Sequence, residues 1–162
     1  MSKYVQESFR IEDAYIPNGT WRNFSGVVTE MNKTGERKFN IFLPEGLASL
    51  MEDIGWHVKH KDPRREGDDV LNFIEVTVSW KKNPPVITLI SYDGTRTNLT
   101  EANVSILDST DIETATVELN PYNWDVNGKT GVRAYLKELI VEAKEPRRAY
   151  SGSFNRDEDD DD

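Results

Sequence analysis

Aromatic side chains in this sequence repeatedly stand beside bases and amides. The groups are Trp21-Arg22-Asn23-Phe24, Trp56-His57-Val58-Lys59, Trp80-Lys81-Lys82, Tyr122-Asn123-Trp124 and Arg133-Ala134-Tyr135-Leu136-Lys137. The chemistry open to this mixture is non-covalent. A flat ring stacks on a nucleobase at about 1 to 3 kcal/mol per base, and lysine or arginine neutralises the phosphates between bases. Each ring has a second reading, as filling for a hydrophobic core, and that reading is strongest for Trp80.

Covalent chemistry has no comparable support. Gly128-Lys129-Thr130 ends like a phosphate-binding loop, but the first glycine of that motif falls at Asn123, and the following residues read as a strand. His57 and His60 are the only histidines, and three residues apart on a strand they face opposite sides. Carboxylates such as Asp108, Asp111 and Glu113 show no spacing that selects a catalytic or two-metal pair. The chain has no cysteine, which excludes a disulfide framework, a thiolate zinc site and a cysteine nucleophile. The residues therefore lead us to expect no catalytic set, no metal and no cofactor.

Charge constrains the partner. The net charge is −9, yet residues Asp157, Glu158, Asp159, Asp160, Asp161 and Asp162 hold six of the 29 acids. Without them 20 bases face 23 acids, so a local basic groove is compatible with the body of the chain. An acidic block on a flexible tether can compete with phosphate for that groove, and it is freed for protein partners once nucleic acid displaces it. A metal site there is not expected, because nothing pre-organises the aspartates. No apolar run resembles a signal peptide or a membrane span, so a soluble protein that is not exported is expected.

The elements that must position these residues are mostly strands. Residues 20–28 and 37–43 read as a hairpin, with Phe39, Ile41 and Leu43 facing the core and Lys38, Asn40 and Phe42 on the face open to a ligand. Leu47, Leu50, Met51 and Ile54 predict a helix over residues 44–55, from Pro44 to Gly55. Residues 56–61 alternate like a strand, and 62–69 are a polar loop. Residues 73–82 and 86–92, around Asn83-Pro84-Pro85, read as a second hairpin with Ile74, Val76, Val78 and Trp80 on one face. A short helix opening at Asn98 would carry Val104 and Leu107. Residues 115–124 and 132–143 form a last hairpin whose turn holds Asn127-Gly128, with Arg133, Tyr135 and Lys137 sharing a face. Such a count predicts a mainly β fold: an OB-like antiparallel barrel over residues 1–146 with one or two short helices. Residues 147–162 then form a disordered acidic tail, too poor in apolar groups to offset its ordering entropy.

Three stretches carry a resemblance. Residues 21–26, 37–43 and above all 121–137, Pro121-Tyr122-Asn123-Trp124 through Arg133-Ala134-Tyr135-Leu136-Lys137, resemble the single-stranded DNA-binding proteins of tailed bacteriophages. The resemblance implies an OB fold that coats single-stranded DNA during phage replication, recombination and repair in the cytoplasm of the bacterial host. It also implies a tail that engages replication or recombination proteins, although this tail ends in Asp162 rather than in an aromatic residue. The binding set expected from the matching stretches is Arg22, Phe24, Lys38, Tyr122, Trp124, Lys129, Arg133, Tyr135 and Lys137. Local charge adds Lys59, Lys61, Arg64, Arg65, Lys81 and Lys82. A monomer or homodimer is expected. The negative net charge keeps open a different class, a β-rich viral module that binds a host or virion protein without nucleic acid. An RNA chaperone on the same fold is a third reading, and a hydrolytic enzyme a remote fourth.

Overall fold

Alternation of apolar and polar residues places the core on one side of a single large sheet. The fold is that of a computed structural model, which describes residues 5, 7–17, 22–28, 30, 33–62, 67, 70–81 and 83–145. Arg64, Arg65, Lys82 and the acidic block at residues 157–162 lie outside the described residues. In chain order the elements are β1 (Phe9–Ile11), β2 (Arg22–Asn23), β3 (Lys38–Leu43), α1 (Glu45–Ile54), β4 (Lys59–Lys61), β5 (Leu71–Thr77), β6 (Val86–Ile90) and β7 (Arg96–Leu99). A 3-10 helix (Val104–Asp108), β8 (Ile112–Val126) and β9 (Lys129–Ala143) complete them. The mainly β, OB-like expectation is borne out. Among the described residues, no helix is long and apolar enough to cross a membrane.

The sheet runs β1-β8-β9-β5-β3-β2, with β4 on β5, and β6 on both β7 and β9. Phe39, Ile41 and Leu43 of β3 are buried with Ile74 and Val76 of β5 and Ala115, Val117 and Leu119 of β8. In β9 the buried set is Ala134, Leu136, Leu139 and Val141, and its phase slips by one residue after Leu136. The cause is a bulge: Leu119 faces Leu136 while Glu118 faces Glu138, so Lys137 is the extra residue.

Three expectations are corrected. Residues 73–92 do not fold back as a hairpin, because β5 and β6 both run parallel to β9. Val76 and Thr77 pair with Ala134 and Tyr135, and residues 86–90 pair with 138–142, so the two strands lie end to end along one edge of β9. The sheet is thus mixed rather than wholly antiparallel. The first strand shrinks to Arg22–Asn23 because the Asn23 side-chain oxygen accepts from the amides of Gly26 and Val27 at 2.9 and 3.0 Å, turning the chain out of the ladder. In α1 the fully buried residues are Ala48 and Met51, whereas Leu50 and Ile54 are exposed. The short helix opens at Val104 rather than at Asn98, which lies in β7, but it buries Val104 and Leu107 as expected, and Asn127 and Gly128 adopt φ of 53° and 80°. Positive φ at both central residues is what a tight hairpin turn requires.

Candidate nucleic-acid interface

Residues opposite one another across adjacent strands share a face, so the register shows what the sheet presents away from its core. Asn23 faces Lys38, Lys38 faces Thr77, Thr77 faces Tyr135 and Tyr135 faces Asn120. One row therefore crosses five strands. Beside it Tyr122 faces Arg133 and Asn40 faces Glu75, and beyond Tyr122 comes Trp124 opposite Gly131. The Trp124 indole lies over Gly131 so closely that no side chain fits beneath it. That glycine gives the ring a flat bed.

Of the expected residues, Tyr122, Trp124, Arg133, Tyr135, Lys38 and Lys59 come together on this face. Tyr122 is 56% exposed and meets Tyr135 edge to face, with centroids 6.0 Å apart. Both tyrosines line a cleft of about 920 Å³ with Lys81, Lys137 and Asn120. A second hollow of about 210 Å³ joins Trp124 and Arg133 to His57, Lys59 and Glu75. Lys129 is exposed at the first position of β9, next to the hairpin tip, and Lys61 follows Lys59 in β4.

Arg22 and Phe24 are corrected. Phe24 is fully buried and stacks on the core residue Phe39 at 4.8 Å, so no base can reach it. Arg22 is only 6% exposed, since it faces Phe39 across the ladder and lies on the core side. Its guanidinium donates to the carbonyls of Pro17, Leu107, Thr110 and Ile16 at 2.6 to 2.9 Å. Burial lowers its pKa from the ordinary value, and Asp108 and then Asp111 act in the opposite sense. Asp108, one of the carboxylates weighed for catalysis, accepts from the backbone amides of Phe24 and Ser25 at 2.6 and 3.1 Å.

The cations of the face are shared with carboxylates. Lys38 Nζ is 3.2 Å from Glu36 and 3.3 Å from Glu75, which also meets Lys59 at 3.6 Å. Burial pulls the Lys38 pKa down, but Glu75 and Glu36 outweigh it and raise it overall. Arg133 is 3.7 Å from Glu36, and Lys137 is 3.2 Å from Glu118. The Ser8 hydroxyl, then Lys137, hold the Glu118 carboxyl below its ordinary range. Exposed pairs of this kind contribute about 0 to 1 kcal/mol, so a phosphate can exchange for a carboxylate at small cost. The sequence reading missed these carboxylates, although Glu36 and Glu75 alternate with the binding face as regularly as the lysines do.

A family model described as "Putative phage ssDNA-binding domain" matches residues 1–152. No curated protein matches the sequence. Among solved structures, the chain is similar to the single-stranded DNA-binding protein from bacteriophage Enc34, with a TM-score of 0.53 and 9% identity over 90% of this chain and 89% of that one. The same phage protein in complex with ssDNA gives a TM-score of 0.51 and 10% identity over 86% and 88% of the two chains. Its C-terminal truncation gives 0.50 and 8% over 88% and 87%. At these identities the structural likeness speaks for the fold.

Proposed function

The chain belongs to the phage single-stranded-DNA-binding domain family, and from that premise we propose that DNA lies across the outer face of the sheet, its bases on Tyr122, Tyr135 and Trp124. Arg133, Lys38, Lys59, Lys81, Lys129 and Lys137 take the phosphates, exchanging them for Glu36, Glu75 and Glu118 where these are paired. The observation that carries this reading is the register that sets Tyr122 opposite Arg133 and Tyr135 opposite Asn120 and Thr77, on the face away from the core. Stacking and phosphate contact are indifferent to base identity, so binding is sequence-tolerant. No chemical step is assigned to the protein.

The role we infer is coating and protection of single strands during phage replication, recombination and repair, in the cytoplasm of the host bacterium. Residues 1–146 form the binding domain and 147–162 an acidic tail that recruits replication or recombination proteins. The protein acts as a monomer or homodimer. Family membership favours this reading over a protein-interaction module that never touches nucleic acid.

The test is a titration of oligothymidine at two ionic strengths, followed by tryptophan quenching. Affinity falls with salt, and Tyr135→Ala weakens binding by about 1 to 3 kcal/mol without lowering the melting temperature. Wild-type affinity in that variant, or a variant that no longer folds, would move Tyr135 from the interface to the scaffold. Oligouridine in parallel decides between DNA and RNA.

A further inference from the structure

The outer face carries a second row of rings that the reading above leaves unused. Lys59 faces Phe73 across β4 and β5, Phe73 faces Phe42 across β5 and β3, and Phe42 bridges to Tyr15. Phe42 and Phe73 stack with centroids 5.6 Å apart at 25°, and Tyr15 stands against Phe42 at 6.1 Å and 84°. Lys61, Tyr15 at 63% exposure and Leu71 at 39% extend the strip.

These rings are surplus to the core. In β3 and β5 the buried apolar positions are Phe39, Ile41, Leu43, Ile74 and Val76, with Phe42 and Phe73 on the opposite parity, where the one buried residue is the polar Thr77. The helix α1 is on the other side as well. His60, whose parity opposes Lys59, is the residue that reaches Glu52 of α1, at 3.1 Å. The row is continuous with the first site, because Lys59 lines the same hollow as Trp124 and Arg133. Phe73 and Thr77 are four residues apart on β5, so the two rows are separated by about 13 Å. That is about four steps at the stacked rise of about 3.4 Å per nucleotide.

We propose that Tyr15, Phe42 and Phe73, with Lys59 and Lys61 beside them, form a second base-stacking platform for the same DNA strand. One strand then runs from Tyr122 and Tyr135, past Trp124 and Lys59, to the phenylalanine pair. This inference rests on the binding reading given above. It sets a minimum occluded length, since about four stacked steps join about five nucleotides, so an oligomer of about two or three cannot engage both rows whereas one of about 12 can.

Photocrosslinking of the full chain to oligothymidine of about 12 nucleotides, carrying one 5-iododeoxyuridine at successive positions, tests it. Adducts are expected on peptides containing Tyr15, Phe42 or Phe73, and separately on those containing Tyr122, Trp124 or Tyr135. Adducts confined to β8 and β9 overturn the second platform and leave the first standing; adducts on neither row overturn both. Phe42→Leu keeps an apolar side chain on the sheet but no flat ring, and Tyr15→Ala removes a ring from the surface. Each should weaken binding of the 12-mer about fivefold or more, with unchanged melting. Wild-type affinity in both variants overturns the proposal.

Discussion

Replacing Arg22 by methionine would withdraw the donors that now satisfy the carbonyls of Ile16, Pro17, Leu107 and Thr110. A buried carbonyl left without a partner costs about 1 to 3 kcal/mol, so Arg22→Met should lose about 3 kcal/mol or more of stability in a denaturant titration. The folded fraction should bind oligothymidine as the wild type does. A variant that melts normally yet fails to bind would return Arg22 to the interface. Arg133 shows the opposite case, an exposed guanidinium facing Tyr122 across the ladder and 3.7 Å from Glu36. The sequence could separate the two arginines only through pairing. Tyr122, Arg133 and Tyr135 are legible because they lie in long alternating strands, where parity assigns a face. Arg22 opens a strand of two residues and Phe24 follows it, too short a run for alternation to show which side is inward. The missing signal was the partner: Arg22 faces Phe39, already recognisable as core.

At the scale of elements, the last hairpin was readable because Asn127-Gly128 dictates its turn locally, whereas the placement of β5 and β6 was not. Two neighbouring strands around Asn83-Pro84-Pro85 suggest a hairpin. Their parallel alignment on β9 depends on residues about 50 positions later, which no local pattern encodes. One tie between elements has a pH signature. His60 meets Asn72 Oδ1 of β5 at 2.6 Å and Glu52 of α1 at 3.1 Å, both acceptors, so only the imidazolium donates to both. The hydrogen bond to Asn72, then that to Glu52, raises its pKa above the ordinary 6.5. A raised pKa in the folded state means a stabilisation that is complete below the ordinary value and lost as pH rises through the folded one. The melting temperature of wild type minus that of His60→Ala should therefore be larger at about pH 5.5 than at about pH 8.5. An equal or reversed difference would show that the ring is held by packing. DNA affinity should be unaffected at either pH, because His60 has the parity opposite to Lys59.

For the molecule as a whole, the question is how a chain of net charge −9 binds a polyanion. Locally the outer face gathers Lys38, Lys59, Arg133 and Lys137, but Glu36, Glu75 and Glu118 share those cations. Each phosphate neutralised on a single strand contributes about −0.7 to the slope of log affinity against log salt. Three to five such contacts would give a slope between about −2 and −3.5. The six acids at residues 157–162 are legible in the sequence, since a block of like charge needs no fold to be recognised, and under the function proposed above they act as a competitor for the groove. Deleting them should strengthen oligothymidine binding several-fold at low salt, because the groove no longer has an intramolecular anion to displace. The gain should shrink as salt rises, since screening weakens tail and phosphate alike. The same deletion should abolish capture of a polymerase or nuclease partner. Those two readouts are separable. Unchanged affinity at low salt with capture lost would make the tail a recruiter alone, and increased affinity with capture intact would make it a competitor alone. Loss of capture together with a salt-sensitive gain in affinity is the result expected if DNA itself releases the tail to its partners.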